Sequence, residues 1–227
     1  MTADHTNALA ALRRSALVRD DTGPSRVYHD KAGATYHSVT HSLGATKDPK
    51  AVTNWAARVD RIYGPGAAIQ DRNTAATRGT QTHNSAEYLL KTSMRVARAA
   101  ANKQGRITTD AHGLPHIPTA IWRWAMARTL PRVPTVSFSA AGYRRCLLEW
   151  IVENVTQCHA CEFAVSYPCG TRDSAGTFIP SATPCQSGPD TVGFAGTPDA
   201  LISLSGAFLE AHGLDPALSG ALSLIHI

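Results

Sequence analysis

Nowhere do the 227 residues run to the ~18 consecutive apolar positions that a membrane-spanning helix needs, so no segment is expected to cross a bilayer. The first stretch, MTADHTNALAALRRSALVRDD, has no apolar block behind its first charges and does not read as a secretion signal. Charged residues are few at 17% and aromatic ones at 7%, yet 43% of the chain is hydrophobic. That is enough to build a core, and it excludes a chain disordered throughout. Cysteine is scarce as well. The five are Cys146, Cys158, Cys161, Cys169 and Cys185, and an odd number without a signal argues for a reducing, cytoplasmic setting. The formal net charge of +5 permits a polyanionic partner such as nucleic acid without demanding one.

What is present suggests one domain, or a domain with an extra lobe. Residues 5–19 read as a short helix in a peripheral N-terminal segment, 1–27, that ends near the turn DDTGPS. Two short strands are expected around the turn at Lys31 to Gly33. Pro49 suits the first turn of a helix that stops at Gly64 and Pro65. The longest helical candidate covers 66–105, with Ala76, Thr80, His83, Glu87, Leu90 and Met94 at three- and four-residue spacing. Gly79 is expected either to interrupt it or to admit a close helix contact. Further helices are read over TAIWRWAMARTL and over Ser139 to Asn154, the latter holding Cys146 toward the core. HACEFAVSY then reads as a strand, 168–191 as a long polar loop, and TVGFAGTPDALISLSG as a strand pair or bent strand. The tail is weakly helical and then apolar. Helices come first and strands last, which for an α/β domain is an unfinished list of parts.

Three residues stand out chemically. His83 shares a helical face with Gly79 and Glu87, where an imidazole can bind a metal or orient a phosphate; a hydrogen bond to Glu87 is the plainer reading. Glu162 alternates with Ala164 and Ser166 on one strand face, which a solvated sheet surface also explains. Asp199 follows GFAGTP and precedes ALISL, and a carboxylate at the edge of an apolar strand is costly unless paired or metal-bound, although turn aspartates are common.

Taken in order, RGTQTH, CEFAVSY and GFAGTPDAL resemble the RecB-like branch of the PD-(D/E)XK nuclease superfamily, phage-type exonucleases above all. The upstream stretch YHSVTHSLGATKDPKAVTNWAARV resembles the lead-in segment of such phage proteins, so the likeness spans roughly 28–205. It implies an α/β, restriction-endonuclease-like core over 28–220 behind an N-terminal helical segment. It also implies a Mg²⁺- or Mn²⁺-dependent deoxyribonuclease of phage recombination or replication, in which Glu162 and Asp199 are oxygen ligands. His83 matches the family's helix histidine, as ligand or phosphate orienter, and Gly79 the glycine four positions before it.

The family's next strand brings an acidic residue, one spacer and a lysine, and here the pattern departs. After Asp199 the acidic residues are Glu210 and Asp215, with no lysine at all. Asp48 and Lys50 have the spacing but belong to the lead-in segment. The sequence therefore predicts weak metal binding and slow or absent cleavage, and an incomplete C-terminus. The closing LSLIHI resembles translated adapter sequence, so 221–227 are expected not to be native; an ordinary apolar strand is the alternative.

Cys158, Cys161, Cys169 and Cys185 give C-x2-C-x7-C-x15-C, open to structural zinc, to scattered free thiols, or to an iron–sulfur cluster. Arg58, Arg61, Arg72, Arg78, Arg95, Arg98, Lys103 and Arg106 lie on or beside the two long helices, where they could track a DNA backbone or simply be solvated. Trp55, Trp122 and Trp124 are candidates for base stacking or for core packing. The alternative to an enzyme is a non-catalytic DNA-binding or assembly module of the same fold, zinc-stabilised, with a second copy or a recombination protein as partner.

Overall fold

Prolines, glycines and one aspartate punctuate the helical part of the chain, and a computed structural model shows where. The structure describes residues 17–23, 26–31, 34–38, 49–109, 115–161, 165–168, 170–172, 178–180, 191–196, 199–214 and 222–225. Helix α1 (Pro49–Tyr63) ends as Gly64 turns into the left-handed region at φ 100°, its N–H donating to the Asp60 carbonyl at 2.9 Å. Gly66, at φ 86°, then opens α2 (Ala67–Lys103). No side chain of Gly66 can cap that helix. Asp60 reaches across from α1 instead, its carboxylate accepting the Ala68 N–H at 2.8 Å. Helices α3 (Thr119–Thr129) and α4 (Phe138–Asn154) follow, joined by a single 3₁₀ turn, Leu130–Arg132. A short α5 (Gly206–Ala211) begins at Ser205, whose hydroxyl accepts the Phe208 N–H at 3.2 Å.

In chain order the strands are β1 (Val18–Asp20), β2 (Val27–His29), β3 (Thr35–Ser38), β4 (Thr108–Thr109), β5 (Pro115–His116) and β6 (Val155–Cys161). They continue with β7 (Val165–Pro168), β8 (Gly170–Arg172), β9 (Phe178–Pro180), β10 (Thr191–Gly196), β11 (Ala200–Leu204) and β12 (Leu222–Ile225). The fold is mixed α/β, with several helices and small, mainly antiparallel sheets.

Two compact units share these elements. The first, Met1–Asp48 with Glu162–Pro198, holds a five-stranded sheet in the order β1-β2-β3-β10-β7 and the hairpin β8-β9. Its pairings are antiparallel except β3 with β10, which is parallel. Tyr28 and Ala195 are buried there. At its rim Arg26 and Arg19 flank Asp21 at 2.8 and 2.6 Å, and the Arg26 hydrogen bond, foremost, holds the Asp21 carboxyl below the usual carboxylate range.

The second unit, Pro49–Cys161 with Asp199–Ile227, holds α1–α5, the hairpin β4-β5 and a three-stranded antiparallel sheet, β12-β11-β6. One apolar cluster organises it: Ala86, Leu89, Leu90 and Ala97 from α2, Trp122 and Met126 from α3, Leu148 and Ile151 from α4, and Cys158, Ala200 and Ile202 from the sheet. Trp122 is wholly buried and its indole N–H donates to the Val155 carbonyl at 3.0 Å.

Several expectations need correcting. Val18–Asp20 form a strand where the predicted helix 5–19 would have ended; Asp20 turns the chain by accepting the Thr22 N–H at 2.8 Å. The start of that predicted helix, 5–16, lies outside the described residues. Gly79 neither interrupts α2 nor admits a neighbour, since a side chain there would meet nothing within 4 Å. Cys146 is exposed rather than in the core, because α4 turns Ala140, Leu148 and Ile151 inward and Cys146 falls off that face. The stretch 168–191 contains β8 and β9. TVGFAGTPDALISLSG does supply two strands, but β10 and β11 join different sheets and do not pair with each other. Leu222–Ile225, within the tail, pair antiparallel with β11.

Candidate functional site

His83 and Asp199 lie 116 positions apart in sequence and meet. The imidazole Nε2 stands 2.5 Å from Asp199 Oδ1, with the two side chains only 21% and 12% exposed. Each arrives there for a local reason. On α2 the inward-facing stripe Ala86, Leu90, Ser93 and Ala97 continues one turn upstream to His83, where the helix begins to be covered. Asp199 is the last residue before β11, whose five residues are all buried, so the carboxylate marks the point where the chain enters the core. One turn further along α2, Glu87 pairs with Lys91.

A carboxylate oxygen can only accept, so the hydrogen in this contact is carried by His83 Nε2. In the structure the two side chains hold each other, His83 Nε2 against Asp199 Oδ1. The arrangement suits Asp199 as the oxygen donor and His83 as the group that fixes its orientation. Among the described residues no group of three or more His, Cys, Asp or Glu side chains converges on one point. Glu162, the other ligand expected from the sequence, lies outside the described residues, as do Cys169, Cys185, Asp48 and Asp215.

The described half of the cysteine pattern is brought together. Cys158 Sγ lies 3.4 Å from Cys161 Sγ on β6. Residues three apart on a regular strand face opposite ways. Here β6 uses three residues, Cys158 to Ala160, where β11 uses two, Leu201 and Ile202, and this bulge restores both thiols to the face shared with Ala200 and Ile202. The hydrogen bond to Cys161, and then burial, push the Cys158 thiol well above its ordinary pKa.

Sequence reasoning missed a buried polar group on the other face of the same strand. Gln157 accepts the Ile117 N–H at 3.0 Å and donates to the Pro115 carbonyl at 2.6 Å, tying β5 to β6. Its amide nitrogen also faces His159 Nδ1 at 3.4 Å, while His159 Nε2 meets Ser203 Oγ at 2.8 Å. The His159–Ser203 contact ties β6 to β11. Only the bulge in register brings it about, and nothing in the string HAC announces a bulge.

The basic residues divide. Arg58, Arg61, Arg72, Arg95, Lys103 and Arg106 are exposed, and Arg78 lies over the Tyr143 ring at 5.2 Å. Arg98 turns inward and donates to the His159 carbonyl at 3.0 Å, which removes it from a backbone-tracking face. Of the tryptophans, Trp122 is core and unavailable for stacking, whereas Trp55 and Trp124 are 41% and 46% exposed. Trp124 lies under the Arg128 guanidinium and edges a shallow cleft with Ile121, Ala100 and Arg106. No helix among the described residues is long and apolar enough to cross a membrane.

No family model matches this chain, and no curated protein or solved structure matches it.

Proposed function

We propose that the chain is a DNA-engaging domain of the PD-(D/E)XK nuclease type, with phosphodiester hydrolysis as the chemistry its site serves. The observation that carries this reading is the His83–Asp199 contact. The sequence resemblance pairs a helix histidine with a carboxylate at the start of an apolar strand, and those two side chains stand 2.5 Å apart.

In this reading Asp199 presents carboxylate oxygen to a divalent cation, and His83 locks the carboxylate in one orientation by donating from Nε2. A bound Mg²⁺ or Mn²⁺ would neutralise phosphate charge and lower the pKa of a water molecule. Glu162 is the further oxygen donor that the resemblance assigns. The exposed arginines of α1 and α2 hold the phosphodiester backbone without reading its sequence, and Trp124 offers a face for a base at a single-stranded end. No lysine follows Lys103 in the sequence, so the water-orienting lysine of the pattern has no counterpart beyond Asp199.

Titration with Mn²⁺ tests the site directly. Paramagnetic broadening of the His83 ring signals is expected in the wild-type chain and is expected to vanish in Asp199→Ala. Broadening that survives in Asp199→Ala would refute the assignment. Binding of a fluorescent single-stranded oligonucleotide, steeply weakened by salt, is expected whether or not the DNA is cut. The exposed basic and aromatic residues favour the second reading, a DNA-binding module without catalysis, if binding persists while manganese leaves His83 unperturbed.

A further inference from the structure

The two thiols on β6 form a site that the nuclease reading does not use. Cys158 and Cys161 point to one face of the strand because of the bulge, with their sulfurs 3.4 Å apart. A disulfide bond is about 2 Å long, so closure requires an approach of about 1.4 Å and no change of face. The two sulfurs also differ in access: Cys158 is buried in the core cluster, while Cys161 is partly exposed at the end of the strand. Cys161 is the register partner of Ala200, the residue that follows Asp199.

We propose that Cys158 and Cys161 are a redox-active pair that closes to an intramolecular disulfide by exchange with a small-molecule disulfide of the glutathione type. Access sets the order of events. Cys161 attacks one sulfur of the small disulfide, forming a mixed disulfide and releasing one thiol, which takes up the proton that Cys161 gave up. Cys158 then attacks Cys161 Sγ, expelling the second small thiol together with its own proton. The protein loses two electrons and two protons, and one small disulfide becomes two thiols. The proximity of Cys158 makes the second step intramolecular, so the mixed disulfide does not accumulate. This proposal stands independently of what the His83–Asp199 contact does.

The test uses the full chain carrying Cys146→Ser, Cys169→Ser and Cys185→Ser, which leaves only the pair. On treatment with glutathione disulfide, the intact mass should fall by two hydrogens with no retained glutathionyl group, and both thiols should become inert to alkylation until a reductant is added. Adding Cys158→Ser should instead trap one glutathionyl adduct on Cys161. A stable adduct on Cys161 in the two-cysteine chain, with no disulfide, overturns the proposal. Stoichiometric zinc that blocks exchange at both thiols overturns it in favour of a metal site. Should that variant fail to fold, fragmentation mapping of the oxidised native sequence decides: a Cys158–Cys161 crosslink sustains the proposal, and crosslinks from either residue to another cysteine overturn it.

Discussion

Helix α2 is one continuous rod in two environments. From Ala67 to Thr80 it is almost entirely exposed, Ile69 included, with Ala68 the one buried residue. From Gln81 onward it buries Ser85, Ala86, Leu89, Leu90, Ser93, Ala97 and Ala101 against α3, α4 and the sheet. The three- and four-residue spacing runs through both halves, since Ala76 and Thr80 continue the line of His83, Leu90 and Met94. Spacing therefore shows which side of the helix could be covered, and packing decides how far the cover extends. His83 sits where the cover begins. That position lets its ring be enclosed enough to hold Asp199 while keeping 21% exposure to solvent.

Truncating one apolar side chain in each half tests the contrast most forcefully. Leu90→Ala removes a fully buried side chain and is expected to cost roughly 2–5 kcal/mol of unfolding free energy. Ile69→Ala, at a residue 58% exposed, should stay within about 0.5 kcal/mol. Urea denaturation of the two variants measures both. An Ile69→Ala cost that rivals Leu90→Ala would show that the N-terminal half of α2 is covered in solution, and the contrast would fail.

The junction itself gives the next largest effect. In a double-mutant cycle of His83→Gln and Asp199→Asn, the coupling energy is expected at about 1 kcal/mol, because the pair is mostly covered and charge-assisted. Solvent access at His83 keeps it from the upper end of that range. Two unfolding free energies that simply add would mean the contact contributes nothing to stability, leaving His83 as an ordinary member of the exposed half.

These particulars show how much the sequence discloses. Periodicity and punctuation located α1, α2, α3 and α4 closely, because proline, glycine and the 3.6-residue stripe act locally. The order of the motifs put His83, Glu162 and Asp199 in one candidate site; the structure brings His83 and Asp199 together, and Glu162 lies outside the described residues. The strands were harder to read. HACEFAVSY looked like one strand, whereas β6 starts four residues earlier, at Val155, and ends at Cys161, with β7 beginning at Val165 in a different sheet. Which sheet a strand joins is decided by distant partners, and a bulge is decided by register, so neither is written into the strand's own residues. The inward turn of Arg98 and the burial of Trp122 were hidden for the same reason. Each depends on a carbonyl from β6, His159 for the arginine and Val155 for the tryptophan, more than 30 positions away.

The smallest effect sharpens the comparison from the exposed side. Gly79 lies in the uncovered half of α2 with ordinary helical backbone and open space around it. An alanine there would touch nothing, so the native state gains no contact and suffers no clash. The unfolded chain, however, loses the extra freedom of glycine, and Gly79→Ala should raise stability by about 0.5–1 kcal/mol. Gly66 is the matched control at the start of the same helix: its space is equally open, but its φ of 86° strains any other residue. Gly66→Ala should therefore lower the thermal midpoint while Gly79→Ala raises it. If Gly79→Ala were destabilising, space that is open here would have to be filled in solution, and the N-terminal half of α2 would be an interface rather than a free rod.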